Sequence, residues 1–264
     1  MQTIRIKSII NSKRNTFLLE KNLLIKNNYV FKSLRKKLQL SVGHSTITGH
    51  ITSWHKQVGK KKKYRPIIKD TKKSKSIILG ITHDPHKNSL TTINFDLIKK
   101  KFFNDLHIKK TFVGSLINRK ENFSELKTGY RLQIKRIPIG SLISNISTVT
   151  SGHGKYAKSA GTFAQLIQKG DKIARIKLPS NKTIQIAVNS LASLGTISNE
   201  NYKNILIGKA GRARNLGRRP IVRGIAMNPV DHPHGGRTNG GRPSVTPWGL
   251  PTKNKFKLKR RKNK

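Results

Sequence analysis

Residues Gly208–Leu250 read GKAGRARNLGRRPIVRGIAMNPVDHPHGGRTNGGRPSVTPWGL, and this stretch decides how the chain is interpreted. Glycine and proline interrupt it every few residues. That spacing excludes a helix, and the apolar residues are too few to form a core. The stretch contains seven arginines, and its only acidic residue is Asp231. A long segment that cannot fold on itself needs a partner to give it shape, and its charge indicates a polyanion.

The composition of the whole chain points to the same class of partner. The 264 residues include 56 lysines and arginines against 10 acidic residues, a formal net charge of +46. Permanent binding to nucleic acid, driven by counterion release, is the usual way to neutralise such a charge. A membrane surface also attracts cations. However, the basic residues are spread along the chain without a long amphipathic helix, and no apolar run approaches the roughly 18 residues of a spanning helix. We therefore expect no membrane association.

Residue usage narrows the mode of binding. The absence of cysteine excludes disulfides, thiolate catalysis and cysteine-type zinc sites. Aromatic residues make up 6% of the chain, too few for repeated base-stacking platforms, so phosphate contacts and shape should dominate. Abundant Ile, Asn and Lys indicate an A/T-rich genome. Nine of the 17 arginines nevertheless fall in the last fifth of the chain, which suggests that the planar geometry of arginine is used there.

The chain divides into four predicted regions. Residues 1–40 form a basic N-terminal extension, either a mitochondrial transit peptide or a tail that lies along RNA. Short apolar runs predict strands in region 41–126, at Ile47–Ile51, Pro66–Ile68, Ile77–Ile81 and Leu90–Phe95. Region 127–204 has a spacing that suits a small barrel, with strands at Leu132–Ile134, Ile137–Ile139, Leu142–Ile146, Ile173–Leu178, Thr183–Val188 and Gly195–Ile197. Thr162–Lys169 fits a strand or one helical turn. Region 205–264 is extended and ends in the basic arm KNKFKLKRRKNK.

Two short basic segments are candidate phosphate contacts. Lys60–Arg65, with sequence KKKKYR, is interpreted as a phosphate clamp with Tyr64 packed beneath or stacking, in preference to a solvated hairpin tip. Ser151–Gly161 is either a flexible linker or a loop whose glycines let Lys155 and Lys158 approach phosphate.

Two histidine clusters have the composition of a metal or catalytic site, but their arrangement supports neither role. His232 and His234 flank Pro233, and in an extended chain their rings would point to opposite sides, which does not make a zinc site. The similar His83–His86 cluster lies between predicted strands and is interpreted as a turn. No serine or cysteine nucleophile lies in a recognisable elbow, and acids are too scarce for paired carboxylates. We therefore predict no enzyme activity and no metal site. Trp248 is interpreted as an anchor against the barrel or RNA.

Several motifs together resemble one family. GKAGRAR, RRPIVRGIAMNPVDHPHGG and PSVTPWG resemble the C-terminal signature of large ribosomal subunit protein two. Upstream, LKTGYRLQIKRIPIGSLISNI and AKSAGTFAQLI resemble its second domain, and GHITSWHKQVGKKKKYRP resembles its first. The resemblance implies a mainly β fold, with an OB-fold domain followed by an SH3-like barrel and long basic extensions at both termini. Both domains would bind large-subunit ribosomal RNA, and residues 208–250 would penetrate the RNA near the peptidyl transferase centre.

The resemblance also implies partners and sites. We expect one copy per ribosome, contacts with neighbouring ribosomal proteins and with small-subunit RNA at an intersubunit bridge, and no cofactor beyond Mg²⁺ or K⁺ shared with the RNA. In the family, the first histidine of DHPHGG, here His232, has been proposed to support peptidyl transfer. Because peptide bond formation is attributed to RNA, we expect His232 to orient RNA rather than act as a base, with its ring drawn toward the cationic form. The predicted RNA-binding residues are His55, Lys60, Lys61, Lys62, Lys63, Tyr64, Arg65, Lys155, Lys158, Lys209, Arg212, Arg214, Arg218, Arg219, Arg223, Asn228, His232, His234, Arg237 and Arg242.

The chain departs from the family pattern in two motifs. The usual RHxGGGHK loop is Trp54–Lys61 here, with two glycines lost, which puts its tight backbone path in doubt. The usual GGGEG is Gly235–Asn239 here, with the acid lost and a cation gained. Such divergence with A/T bias favours a mitochondrial ribosome, with a plastid or a bacterial-type cytoplasm as alternatives. Two rival functions remain: nucleic-acid condensation by charge alone, indifferent to Pro233, Gly235 and Gly236, and a histidine-dependent hydrolase.

Overall fold

The chain forms two compact units. The computed structural model describes residues 3–5, 16–20, 24–25, 32–37, 42–67, 74–119, 126–148, 153–236 and 243–252. Unit 1 comprises Met1–Leu40 and Lys60–Ala213, and unit 2 comprises Ser41–Gly59 and Arg214–Lys264. This division differs from the predicted region 41–126, because the loop before Lys60 is hydrogen-bonded to the C-terminal segment and belongs with it.

Strands account for most of the regular structure. The described residues contain sixteen, which in chain order are β1 (Thr3–Arg5), β2 (Phe17–Leu19), β3 (Lys36–Lys37), β4 (Lys63–Tyr64), β5 (Ser74–His83), β6 (Leu90–Asp96), β7 (Lys101–Leu106), β8 (Leu116–Arg119), β9 (Arg131–Gln133), β10 (Leu142–Ser144), β11 (Ile146–Ser147), β12 (Gly154–Tyr156), β13 (Ala164–Lys169), β14 (Ile173–Lys177), β15 (Thr183–Ala187) and β16 (Leu191–Leu194). One α-helix, α1 (Ala210–Asn215), follows them.

A ten-stranded sheet is the framework of unit 1. Its order is β15-β14-β13-β10-β16-β9-β8-β5-β6-β7. Neighbouring strands are antiparallel except β8 and β9, which meet in parallel at Arg119 and Arg131. Smaller pairs join β1 to β2, β3 to β4 and β11 to β12. The mainly β prediction is confirmed, and its OB-fold and SH3-like regions are joined edge to edge in this sheet.

Two apolar clusters hold the sheet together. The larger lies in the second half of unit 1 and includes Ile134, Ile143, Leu166 and Ile176, all fully buried. The smaller consists of Ile67, Leu106, Ile108 and Ile197. Each such side chain contributes about 1.5–3 kcal/mol by leaving water. Alternate side chains of β5 are buried, as expected for a strand that faces solvent on one side.

A buried ion pair lies near the parallel junction. Arg119 is 3% exposed and forms a salt bridge with the Asp105 carboxylate, while its guanidinium carbon lies 4.5 Å from the centre of the Phe103 ring. Arg131, on the facing strand, is also buried. Burial is the main cause that lowers the pKa of Arg131, and the nearby Arg119 lowers it further while Asp105 opposes the shift.

Several predicted strands are wrong for identifiable reasons. In Ile47–Ile51, Ile47 and Thr48 lie in a turn, because the Ser45 hydroxyl accepts hydrogen bonds from their amides and Gly49 adopts a φ of 71°. Ile51 forms only an isolated bridge with His44. Ile137–Ile139 follows a 3₁₀ turn at Ile134–Arg136 and is itself a turn.

Other predicted strands are shifted or shortened. Gly195–Ile197 follows β16, which ends where Gly195 takes a φ of 101°. The run Leu142–Ile146 is split at Asn145, whose φ is 49°. In Pro66–Ile68, Ile67 forms an isolated bridge and Ile68 lies outside the described residues. The ambiguous Thr162–Lys169 contains strand β13.

The prediction that no helix forms after Gly208 is also wrong. Helix α1 takes up six residues with sequence AGRARN, in which alanine and arginine are strong helix formers. It ends at a turn in which the Gly217 amide donates to the Arg214 carbonyl at 2.9 Å, with Gly217 at a φ of 94°. Within the described part of the chain, no helix has the length and apolar character needed to cross a membrane.

Candidate nucleic-acid interface

The basic segment Lys60–Arg65 lies in unit 1 and pairs with another lysine-rich strand. Lys63 and Tyr64 form β4, which is antiparallel to β3 at Lys36 and Lys37. The segment is therefore not the tip of a hairpin between the predicted strands Ile47–Ile51 and Pro66–Ile68. The side chains of Lys36, Lys37 and Lys63 are exposed, as are those of Lys60 and Lys61, so the pair presents a concentrated cationic surface.

Tyr64 packs beneath this surface. Its ring lies edge-on to His86 with centroids 6.0 Å apart, and the Lys87 ammonium is 5.0 Å from its centre. The Lys87 ammonium also donates to the Arg65 carbonyl at 3.2 Å and to the fully buried Asp84 carboxylate at 2.7 Å. Asp84 closes the turn by accepting the His86 amide at 2.9 Å, so the predicted turn at His83–His86 is confirmed. The structure shows the packing contacts of Tyr64, and stacking on a base stays a prediction.

The electrostatics of this turn favour an added anion. Burial lowers the pKa of Arg65, and repulsion from Arg35 lowers it further, while Asp84 opposes both effects. The pKa of His86 is lowered mainly by burial and further by repulsion from Lys62. Each shift disfavours the charged form of a group in a crowded cationic site. A phosphate bound here would relieve that repulsion.

Lys158 lies in a second cationic site of unit 1. Its side chain is half-buried, and burial lowers its pKa. Repulsion from Lys87 and Arg131 lowers the pKa further. Lys155 is exposed, with its ammonium 5.8 Å from the Tyr156 ring centre. Lys87 thus contacts Tyr64 of the first segment and repels Lys158 of the second.

The arginines of the extended segment divide into inward and outward groups. Arg212 is half-buried, and its Nη1 donates to the Ile207 carbonyl at 2.7 Å, so this side chain forms a contact within the protein. The remaining described basic residues of the segment are exposed, namely Lys209, Arg214, Arg218, Arg219 and Arg223. Arg237 and Arg242 lie outside the described residues, as does the basic arm from Lys253 onward.

In unit 2, the arginines lie on a pair of loops, residues 55–57 and 214–220, which are joined by hydrogen bonds. Within it, the Gln57 amide donates to the Gly217 carbonyl at 3.0 Å, and the Gln57 side chain donates to the Arg214 carbonyl at 3.0 Å. The Arg219 amide donates to the His55 carbonyl at 3.0 Å, and His55 Nδ1 lies 3.2 Å from the Pro220 carbonyl. His55 therefore supports the segment. The side chains of Arg218 and Arg219 remain exposed on this fixed backbone.

The DHPHGG motif folds into a compact loop in unit 2. The Asn228 carbonyl accepts the amides of Asp231 and His232 at 3.0 and 3.2 Å, and the Gly236 amide donates to the Met227 carbonyl at 3.3 Å. The residue Asn228 is itself exposed. This turn places the His232 and His234 rings 4.8 Å apart, so the prediction that they point to opposite sides is wrong. The prediction failed because it assumed an extended backbone, which the turn replaces.

His232 is 8% exposed and its ring orientation is fixed from two sides. Its Nδ1 accepts the His234 amide at 2.9 Å, and Gly224 lies so close that a Cβ there would be 2.6 Å from Cε1 of the ring. In this arrangement Nδ1 is the acceptor, and Nε2 is the ring nitrogen left to donate. His234 turns its Nε2 to the backbone, 3.1 Å from the Val245 amide.

Sequence reasoning missed three contributors. Lys87 follows the DPH turn directly, a position that could have marked it. Arg131 gave no local signal, because its role depends on pairing with β8. Trp54 stands where the family pattern has arginine, and its ring lies edge-on to Trp248 with centroids 6.2 Å apart. Trp248, predicted as an anchor, thus has an aromatic partner within unit 2. The described residues contain no group of three or more histidine, aspartate or glutamate side chains arranged to hold a metal.

Comparisons with known proteins show the family to which the chain is related. The family model for the C-terminal domain of ribosomal proteins L2 matches residues 127–249. The chain is similar to the large ribosomal subunit protein uL2m of Reclinomonas americana, with 41% identity over 98% of this chain and 95% of that protein. It is also similar to uL2 of Rickettsia canadensis, with 42% identity over 89% of this chain and 85% of that protein. For uL2 of Aliarcobacter butzleri, the identity is 38% over 88% and 85% of the two chains.

Proposed function

Because the chain belongs to the family of large ribosomal subunit protein uL2, we propose that it binds large-subunit ribosomal RNA as a structural constituent of that subunit. The observation that carries this proposal is the loop pair of unit 2, which fixes the backbone of Arg218 and Arg219 by hydrogen bonds while leaving their side chains exposed. Arginine held in this way presents its guanidinium fork at a defined position, which suits bidentate contact with phosphate.

We assign the remaining RNA contacts to three surfaces. The first surface is the β3–β4 pair, where phosphates of the RNA are contacted by Lys60, Lys61 and Lys63. Lys62, Arg65 and Lys87 add to these contacts. Lys155 and Lys158 contact phosphates beside β12. Lys209, Arg214 and Arg223 extend the contacts along the C-terminal segment, continued by Arg237 and Arg242. His55, Tyr64 and Arg212 act by shaping the protein, since their described contacts are internal.

The DHPHGG loop supports the RNA of the peptidyl transferase centre without catalysis by the protein. His232 accepts a backbone amide at Nδ1, which leaves its Nε2–H as a donor. A donor can orient a phosphate or base, whereas a general base needs a free lone pair directed at the substrate. His234 and Asn228 complete the loop. Mg²⁺ or K⁺ shared with the RNA would balance residual charge, and the protein supplies no cofactor of its own.

We assign the ribosome to a mitochondrion. This assignment rests on the similarity to the mitochondrial protein of Reclinomonas americana together with the Lys/Asn-rich composition. Similarity to bacterial relatives keeps a bacterial-type cytoplasm as the alternative. Each large subunit would contain one copy of the protein. This copy would lie beside neighbouring ribosomal proteins and face small-subunit RNA at an intersubunit bridge.

Sedimentation of an organellar lysate through sucrose at moderate salt, with mass spectrometry of each fraction, tests the assignment. We expect the chain with the large subunit at one copy per particle. Recovery with nucleoid DNA, or free at the top of the gradient, would contradict it.

A matched pair of variants tests the mode of binding. Replacing Arg218 and Arg219 with alanine should reduce incorporation into large subunits more than replacing Arg175 and Lys177, which are exposed on β14 and remove the same charge. Equal effects from the two pairs would favour condensation by charge alone.

A further inference from the structure

Unit 2 contains a cavity beside Arg219 to which no ligand has yet been assigned. Its volume is about 310 Å³, and its wall includes the apolar side chains of Ile51, Val222 and Met227. Trp54 forms part of the same wall. Cavities that bind small aromatic groups combine an apolar wall with a few polar groups at the edge. This cavity has that composition.

Trp54 gives the cavity an exposed aromatic face. Its side chain is 51% exposed although its ring contacts Trp248 edge-on, and Trp248 is itself 69% exposed. Two large aromatic side chains exposed side by side lose the stabilisation that burial would give them. A single T-shaped contact can cover at most one face of the Trp54 ring, so Trp248 leaves at least one face uncovered. A flat ligand stacked on such a face would recover that burial.

The edge of the cavity is cationic. Lys56 and Arg219 line it and are exposed, together with the imidazoles of His44 and His55. Asp231 is the only acidic residue in the sequence of unit 2. Backbone pairing fixes the points from which both side chains extend, because Lys56 is bridged to Arg218 and the Arg219 amide donates to the His55 carbonyl. An apolar wall with an aromatic face and a cationic edge matches a nucleotide, whose base is flat and whose flanking phosphates are anionic.

We propose that this cavity receives one unstacked base of the RNA, stacked on Trp54, while Lys56 and Arg219 contact the phosphates on either side. Unpaired bases splayed out of loops and bulges are commonly bound on aromatic side chains. A single such site is compatible with the low aromatic content of the chain, which argued against repeated stacking platforms. The proposal rests on the proposed RNA-binding function and adds to it a contact that reads a base rather than the backbone.

Intrinsic fluorescence tests the stacking directly, since the chain has two tryptophans, Trp54 and Trp248. In the full chain with Trp248→Phe, emission reports Trp54 alone. A short oligouridylate should quench that emission in a saturable way. An abasic ribose-phosphate oligomer of equal length has the same charge but no base, so it should bind with much less quenching.

Affinity provides the second measurement. Trp54→Ala in the full chain should weaken oligouridylate binding roughly 5- to 150-fold, the range for loss of one stacked base, and should weaken abasic binding far less. Trp54→Phe should retain most of the difference between the two oligomers. Phe112→Ala, which removes another exposed aromatic side chain, is the matched control and should change neither affinity.

Three outcomes would count against the proposal. Tight binding of both oligomers without a change in Trp54 emission would overturn the base site alone and leave RNA binding intact. An equal loss of affinity for both oligomers in Trp54→Ala would also overturn it, because stacking requires a base. Binding of neither oligomer would contradict the proposed function, and the base site with it.

Discussion

Gly235 is the position where a single uncharged change should be most damaging to the DHPHGG loop. A Cβ at this residue would lie 2.2 Å from the Asn228 carbonyl oxygen and 2.8 Å from the Met227 carbonyl oxygen. Both are backbone atoms, and the Asn228 carbonyl already accepts two amides of the same turn. The clash cannot be relieved by a side-chain rotation. Gly235→Ala must therefore displace the loop backbone.

The expected magnitude follows from the cost of overpacking. Forcing a methyl group into a closely packed site destabilises it by about 1–3 kcal/mol. Since about 1.4 kcal/mol corresponds to a factor of ten, the opening equilibrium of the loop should rise roughly 5- to 150-fold. Hydrogen exchange of the Gly235 and Gly236 amides, which donate to the His232 and Met227 carbonyls, measures that opening.

A matched control separates the clash from the general effect of replacing glycine. Gly211 lies in helix α1, and a Cβ there would meet nothing within 4 Å. Gly211→Ala should leave loop exchange unchanged and stabilise the helix by up to about 1 kcal/mol. If the Gly235 and Gly236 amides exchange equally fast in Gly235→Ala and in the unaltered chain, the reasoning is refuted. Because neither substitution changes charge, condensation by charge alone predicts equal RNA affinity for both variants.

Three further predictions concern a buried histidine, a buried ion pair and the loop histidine. Burial lowers the pKa of His107, so this residue takes up a proton in the unfolded chain at a higher pH than in the folded protein. The free energy of unfolding should therefore decrease as the pH falls below about 6.5. In a pH series of unfolding curves, His107→Gln should flatten that dependence. Asp105→Ala leaves Arg119 buried without its carboxylate and should lower the free energy of unfolding by about 3–5 kcal/mol in denaturant titrations. Lys109→Ala removes an exposed ion pair and should lower it by at most about 1 kcal/mol. Similar losses in the two variants would show that the buried pair stabilises the fold no more than the exposed one. His232→Ala should reduce translation by large subunits more than it reduces the stability of the isolated protein, and normal translation would remove any special role for this residue.

Strands marked by short apolar runs between turns were predictable from the sequence where no local turn competed with them. Ile77–Ile81 and Leu90–Phe95 were located correctly and lie within β5 and β6. Ile47–Ile51 has similar residues, but the Ser45 hydroxyl and Gly49 stabilise a turn there instead. Local hydrogen bonds from serine compete with strand pairing and can override a short apolar run.

The candidate site was predictable in residue type but not in arrangement. The sequence located the basic segments around Lys60 and Arg218, since charge density is a local property. It could not show that Lys87 lies against Tyr64, a residue distant in sequence, or that the Arg212 side chain turns back to the Ile207 carbonyl. The His232 and His234 rings were placed incorrectly for a related reason. Their positions follow from a turn closed by backbone hydrogen bonds, which residue spacing does not reveal.

The altered glycine-rich loop shows why some glycines can be lost and others cannot. Gly59 and Gly217 face each other's backbone segments within unit 2: a Cβ on Gly59 would lie 2.5 Å from the Asn215 carbonyl oxygen, and one on Gly217 would lie 2.7 Å from the Gln57 carbonyl oxygen. Both residues also have positive φ. Gln57 replaces a family glycine and uses its side chain to bond the Arg214 carbonyl. The requirement for glycine is therefore confined to the points of close backbone approach. A chain that keeps those points can change the rest of the loop and still hold Arg218 and Arg219 in place.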